Sequence, residues 1–111
     1  MKIDETPEAV VLNSCLGLLS ILGIFCWRNN TGALASKSGR LVRYGLQGSA
    51  DIIGILPDGR FLSVECKRKN GKIRQSQLDF MAKIKENHGV ACIVHNTDEL
   101  MEVLKYEGVV K

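Results

Sequence analysis

Asp51-Ile52-Ile53-Gly54-Ile55-Leu56, then Pro57-Asp58-Gly59, then Arg60-Phe61-Leu62-Ser63-Val64-Glu65-Cys66-Lys67 reads as two strands joined by a tight turn. Pro followed by Asp suits the centre of a type I turn, and Gly59 suits the left-handed position after it, which makes a three-residue loop with a bulge. Leu56 then faces Arg60. Counting back in that register sets Asp51 opposite Glu65, with side chains on one face and Cβ atoms roughly 5 Å apart. A two-residue Asp58-Gly59 loop would put them on opposite faces, so the turn decides whether two carboxylates meet.

The hairpin belongs to a chain of 111 residues and 12.2 kDa, which is room for one domain, residues 1–111. An apolar fraction of 45%, a charged fraction of 24%, two prolines and a mean hydropathy of +0.02 exclude a disordered or collagen-like chain. The net charge of +3 is too mild to mark a nucleic-acid binder by itself. Its distribution says more, because Lys67, Arg68, Lys69, Lys72 and Arg74 follow one another with no acid between them.

Cys15, Cys26, Cys66 and Cys92 have no CxxC spacing, and His88 and His95 pair with none of them in a usual zinc spacing. They read as small buried thiols of a cytoplasmic protein rather than a disulfide framework. Ala9 to Trp27 carries no charge and is just long enough to span a membrane. Asp4, Glu5 and Glu8 against Lys2 reverse the basic start of a signal peptide, and Asn13, Ser14, Ser20 and Gly23 interrupt the run, so no membrane association is expected.

Thr6-Pro7-Glu8 reads as N-cap, first helical position and first-turn acid of a helix running to about Leu22. At 100° per residue, Val11, Leu12, Cys15, Leu16, Leu18, Leu19 and Leu22 fall within about 80° of Glu8, which places that acid inside the apolar face. The opposite side carries Ala9, Val10, Asn13, Ser14, Gly17, Ser20 and Ile21, with no charge. Such a face is expected to be covered, most simply by a second copy in a homodimer. Ile24 to Asn29 reads as a strand, and Asn30 to Ser49 as a Gly-rich connection with a short strand at Leu41 to Tyr44. Gln75 to Asn87 reads as a helix closed by Gly89, with Leu78, Phe80, Met81 and Ile84 as its apolar face and Gln77, not Gln75, inside that face. Val90 to His95 is a further strand, and Thr97 caps a last helix.

Glu65 and Lys67 alternate onto one strand face, where Asp51 joins them across the hairpin. Close carboxylates repel unless one is protonated or a cation lies between them, and oxygen donors of this kind favour Mg²⁺ or Mn²⁺. Glu8 and Gln77 are the other polar groups directed inward. Each has a plain alternative: Glu65 and Lys67 as an exposed salt-bridged face, Asp51 as a strand start, Glu8 as a dipole partner, the basic run as a solvated turn. Their convergence favours a site, because a buried unsatisfied polar group costs about 1–3 kcal/mol.

Asp51 followed by Glu65-Cys66-Lys67 resembles the PD-(D/E)xK nuclease core. More narrowly, Glu8 on a first helix, Trp27-Arg28-Asn29-Asn30, Gly48-Ser49-Ala50-Asp51, Glu65-Cys66-Lys67 and Gly71 to Gln77 resemble the virus-type replication-repair nuclease (VRR-NUC) family, including its small standalone phage members. The likeness runs from Glu8 to about Leu104. Ala50 stands where a proline often precedes the first acid, and Arg74 where a small hydroxyl residue often starts the glutamine helix.

The resemblance implies an α/β fold with a restriction-endonuclease-like core: a central mixed β-sheet, a hairpin carrying the active site, and flanking helices. It implies Asp51, Glu65 and the Cys66 carbonyl as metal ligands, Glu8 binding directly or through water, Lys67 orienting the attacking water and Gln77 supporting the site. The expected activity is Mg²⁺- or Mn²⁺-dependent cleavage of branched DNA, such as four-way junctions or flaps, by a phage or prophage protein acting in replication, recombination or repair. Arg28, Asn30, Lys37, Arg40, Arg43, Arg68, Lys69, Lys72 and Arg74 are the candidate DNA contacts, suited to phosphates rather than bases. A non-catalytic DNA-binding module and an RNA-directed nuclease are the competing readings; intact Asp51, Glu65 and Lys67 argue against the first.

Overall fold

The turn forms as its residues require. In the computed structural model, which describes residues 6–111, the Gly59 N–H donates to the Leu56 carbonyl at 2.8 Å and Gly59 takes φ +92°, a conformation open to residues without a Cβ. The Leu56 N–H closes the loop onto the Arg60 carbonyl at 2.8 Å. β4 (Ile52–Ile55) and β5 (Phe61–Cys66) then pair Ile52 with Val64 and Ile55 with Phe61, the register that carries Asp51 opposite Glu65. Arg60 fastens the turn to the far end of the chain, with Nε 2.8 Å from Asp58 and Nη1 2.8 Å from Glu107.

Around this hairpin the chain builds an α/β fold with a mixed four-stranded sheet in the order β1-β4-β5-β6. β1 (Phe25–Arg28) pairs antiparallel with β4, and β6 (Val90–Val94) pairs parallel with β5 after the crossover helix α2 (Gln75–Glu86). Helix α1 (Glu8–Ile21) and helix α3 (Thr97–Tyr106) cover one face. Their Cys15, Leu19, Leu100 and Leu104 are fully buried against Ile52, Leu62, Val64, Cys66 and Val94. Each such leucine contributes about 1.5–3 kcal/mol by leaving water. Helix α2 lies over β5 and β6 on the other face.

Several boundaries differ from the sequence reading. The α1 N-cap is Pro7 rather than Thr6, while the other end closes as predicted, with Gly23 N–H on the Ser20 carbonyl and Ile24 N–H on the Leu19 carbonyl, both at 3.0 Å. The long connection holds two strands, not one: β2 (Gly32–Ala35) pairs antiparallel with β3 (Leu41–Tyr44) as an exposed ribbon outside the main sheet. The α3 N-cap is Asn96, whose side chain accepts from the Glu99 N–H at 2.8 Å; Thr97 is already helical. In α2 no residue is fully buried, and Leu78 of the expected apolar face is 44% exposed.

Cys15, Cys66 and Cys92 are buried and Cys26 half-buried, all as free thiols. No helix among the described residues is long and apolar enough to cross a membrane. Lys2, Asp4 and Glu5, used above against a signal peptide, lie outside the described residues.

The close of α2 also differs. His88, not Gly89, takes the left-handed position at φ 65°, while the Gly89 N–H reaches the Ile84 carbonyl at 2.9 Å. A side chain there costs roughly 1–2 kcal/mol. His88→Gly is therefore expected to raise Tm by several degrees in a thermal melt; an unchanged or lower Tm would show that His88 makes up its strain through contacts of its own.

Candidate metal centre

Three elements bring their acids to one place. Glu8 comes from the first turn of α1, Asp51 directly precedes β4, and Glu65 lies near the end of β5. One carboxylate oxygen from each lies within 4.8 Å of the others. The exposed-face reading of the strand pair does not hold, since Glu65 is 4% and Lys67 6% exposed. Lys67 follows β5 and extends its ladder, donating its N–H to the Val94 carbonyl at 3.0 Å. Its Nζ stands 3.7 Å from Glu65 and 3.9 Å from Glu8. Glu8 starts the helical stripe that continues into the buried Val11, Leu12, Cys15 and Leu19, as the wheel places it, and is half-exposed because it lies at the helix end.

Hydrogen bonds aim these groups. Asp51 Oδ2 accepts from the Cys66 N–H at 2.8 Å, so the backbone between Glu65 and Lys67 orients the acid opposite them. Gln77 accepts the Arg74 N–H on Oε1 at 2.9 Å, which turns Nε2 toward Glu65 Oε1 at 3.0 Å. One amide thus satisfies the N–H of the α2 N-cap residue and holds a carboxylate, the half of a capping box that does not depend on Arg74, whose side chain has no acceptor. The buried Cys66 thiol, hydrogen-bonded to Cys15, is pushed up and stays protonated beside the acids.

Sequence reasoning missed Asn29. Its side chain donates to Ser49 Oγ at 2.7 Å and to the Ala50 carbonyl at 3.0 Å, and its N–H donates to the Asp51 carbonyl at 2.7 Å. Asn29 therefore fixes the backbone on which Asp51 sits, whereas the predicted Asn30 is exposed. The signal was within Trp27-Arg28-Asn29-Asn30, but two adjacent asparagines just beyond the strand read alike, and the sequence pattern does not tell which one turns toward Asp51. Gly48 completes the support at φ +86°; a Cβ there would lie 2.5 Å from the Ser76 carbonyl, so the loop packs directly against the start of α2.

Of the predicted cations, Arg43 and Arg74 line a cleft of about 270 Å³ together with Asp51, Glu65 and Gln77. Arg28 lines a second opening of about 200 Å³ beside Glu8 and Asp51. Arg68, Lys69 and Lys72 are exposed on the segment after Lys67, with Lys69 bordering a separate hollow beside His95 and Glu99. Lys37 and Arg40 sit at the ribbon tip, at the opposite end from the cleft, and are not brought to the acids. A more voluminous cavity, about 710 Å³, runs along β6 and α3 and contains none of the five convergent groups.

The donor set fits a hard divalent cation. Two ligands across Mg²⁺ or Mn²⁺ at about 2.1 Å each are about 4.2 Å apart, within the spread of these oxygens. With all three acids ionised, three carboxylates and one ammonium leave two negative charges unbalanced, which one such ion would balance. Neither a protein-family model, a curated protein nor a solved structure matches this chain.

Burial first, then the neighbouring Asp51 carboxylate, push the Glu65 carboxyl up from 4.5 to about 8, against the pull of Lys67. Between these values the folded protein holds a proton that the unfolded chain has released, so stability falls as pH rises through that window. Without divalent ions, Glu65→Gln is expected to gain in Tm over wild type as pH goes from 5 to 8.5. Added Mn²⁺ should raise the wild-type Tm at pH 8 and that of the variant much less; parallel pH curves for the two proteins would contradict this account.

Proposed function

We propose that this protein is a metal-dependent, structure-selective DNA endonuclease of the PD-(D/E)xK type with a restriction-endonuclease-like core, and a VRR-NUC family member. One observation carries the reading: Glu8, Asp51 and Glu65 converge from three separate elements with Lys67 buried among them. A structural role would not require burying a carboxylate and an ammonium that are not in hydrogen-bonding contact, since replacing such a pair by apolar residues is often neutral or stabilising.

In this reading Asp51, Glu65, Glu8 and the Cys66 carbonyl hold Mg²⁺ or Mn²⁺. The ion supplies polarisation of a phosphodiester oxygen, a lower pKa for the attacking water and charge balance on the leaving oxygen. Lys67 places a positive point charge where negative charge develops and orients the water. Gln77 keeps Glu65 in its ligating rotamer. Arg43 and Arg74 in the cleft, with Arg28 at the second opening, hold phosphates next to the reacting bond, while Asn30, Lys37, Arg40, Arg68, Lys69 and Lys72 extend the contact outward. Phosphate contacts carry no base sequence, which leaves DNA shape as the basis of selection.

The outward face of α1 supports a homodimer. Val10 is 49% and Ile21 85% exposed there, and none of the residues on this side is charged. A twofold pairing through it would present two sites symmetrically, as a four-way junction requires.

Purified protein is expected to cut end-labelled four-way junction or flap DNA with Mn²⁺ or Mg²⁺, faster than linear duplex and not in EDTA. Asp51→Asn and Lys67→Ala should each lose about 10²-fold or more while keeping the wild-type fold. Binding without cutting would transfer the assignment to a DNA-binding module, and cleavage confined to RNA to an RNA-directed nuclease. Light scattering should give a mass of two chains, reduced to one by Ile21→Glu; a monomeric wild type would remove the dimer and leave the nuclease standing.

A further inference from the structure

The sheet face that carries Asp51 and Glu65 continues away from them. Directly paired residues share a face, as do residues two apart on a strand. Asn29, Asp51 and Glu65 make one row, Trp27, Ile53 and Ser63 the next, and Phe25, Ile55 and Phe61 the third. Helix α2 covers the inner part of this face, where Ser63 is fully buried and Ile53 8% exposed. Beyond its reach Trp27 is 45% and Phe25 66% exposed, their ring centroids 5.4 Å apart at 54°. Two strand residues span roughly 7 Å, so Trp27 stands about that far along the face from the acid row, close to two stacked-base spacings.

We propose that Trp27, flanked by Phe25, is a stacking platform for unpaired nucleic-acid bases, so that the substrate carries a single-stranded segment beside the bond that is cut. The inference rests on the nuclease reading and narrows its substrate to flaps and open-armed branches. In a continuous duplex the base faces are already stacked and give an aromatic ring nothing to contact, whereas an unpaired base offers one whatever its sequence. The surroundings suit a polyanion: Arg43 and Arg74 line the cleft that holds Asp51 and Glu65 on this face, while Arg28, next to Trp27 in sequence, alternates to the α1 side. The platform is also continuous with the acid row, which places a stacked nucleotide next to the reacting phosphate.

Trp27 is the chain's only tryptophan, so its emission reports on this position alone. In EDTA, the protein is titrated with single-stranded oligo-dT and with a blunt duplex of equal length. Emission is followed together with the anisotropy of labelled DNA. The expected result is saturable quenching by the single strand and little by the duplex. Trp27→Ala should bind the single strand about tenfold more weakly or worse, and Trp27→Tyr should restore most of the affinity. Single-strand binding seen by anisotropy without an emission change overturns the proposal, as does equal quenching by duplex. A blue shift with protein concentration alone also overturns it, because a second copy then occupies the face. Quenching by single strands in a protein that cuts nothing with Mn²⁺ keeps the platform and removes the nuclease; metal-dependent cutting with no emission change does the reverse.

Discussion

The pairing of β4 with β5 has a side-chain period of two, and everything chemical in this molecule depends on that parity. Asp51 and Glu65 share a face because Leu56 meets Arg60 across a three-residue loop, and Pro57, Asp58 and Gly59 make that loop the favoured one. A slip by one residue would turn Asp51 toward the packed leucines and take Ile52 out of them, so the apolar core and the acid pair enforce one register together. The parallel partner β6 then fixes the backbone beyond the strand end, where Lys67 is held by Val94. Position, burial and charge at the site follow from this arrangement.

The cluster is costly as it stands. Two carboxylates face each other across a hairpin with a third beside them, and one ammonium does not balance them; the proton held by Glu65 near neutral pH is the protein's response in the absence of another cation. Hydrogen bonds limit the cost without removing it, since Asp51 takes a backbone N–H and Glu65 an amide N–H. An arrangement of this kind gives up stability in the bare protein and recovers it on binding positive charge.

The hairpin and its register were legible in the sequence because Pro57-Asp58-Gly59 allows few geometries. Asp51, Glu65, Lys67 and Gln77 followed from period arguments, and the structure brings them together. Glu8 followed from the helical wheel, which places it on the stripe of Val11, Leu12, Cys15 and Leu19 that the structure buries; its half-exposure comes from its place in the first turn. The α3 cap was placed one residue late because Asn96-Thr97 offers two neighbouring residues suited to a cap; at α1 propensity favours Thr6, but the helix starts one residue later, with Pro7 at the cap position and no side-chain cap hydrogen bond. β2 was missed because Gly32-Ala33-Leu34-Ala35 has no β-branched or aromatic residue; its pairing with Leu41–Tyr44 makes it a strand. His88 at the left-handed position was hidden by the glycine beside it, which suits that position better but packs against Ile84 instead. Asn29 was missed because its partners, Ser49 and Ala50, are distant in the chain.

Asp51 borders two openings, the cleft beneath the ribbon and the smaller one between α1 and Arg28. The acids therefore form a partition between two solvent spaces rather than the floor of a blind pocket. A large ligand seated on the ribbon side leaves the α1 side open, so ions and water need not enter by the route the ligand occupies. The half-exposed carboxylate of Glu8, the one acid of the three carried by a helix instead of the sheet, lines that α1-side opening.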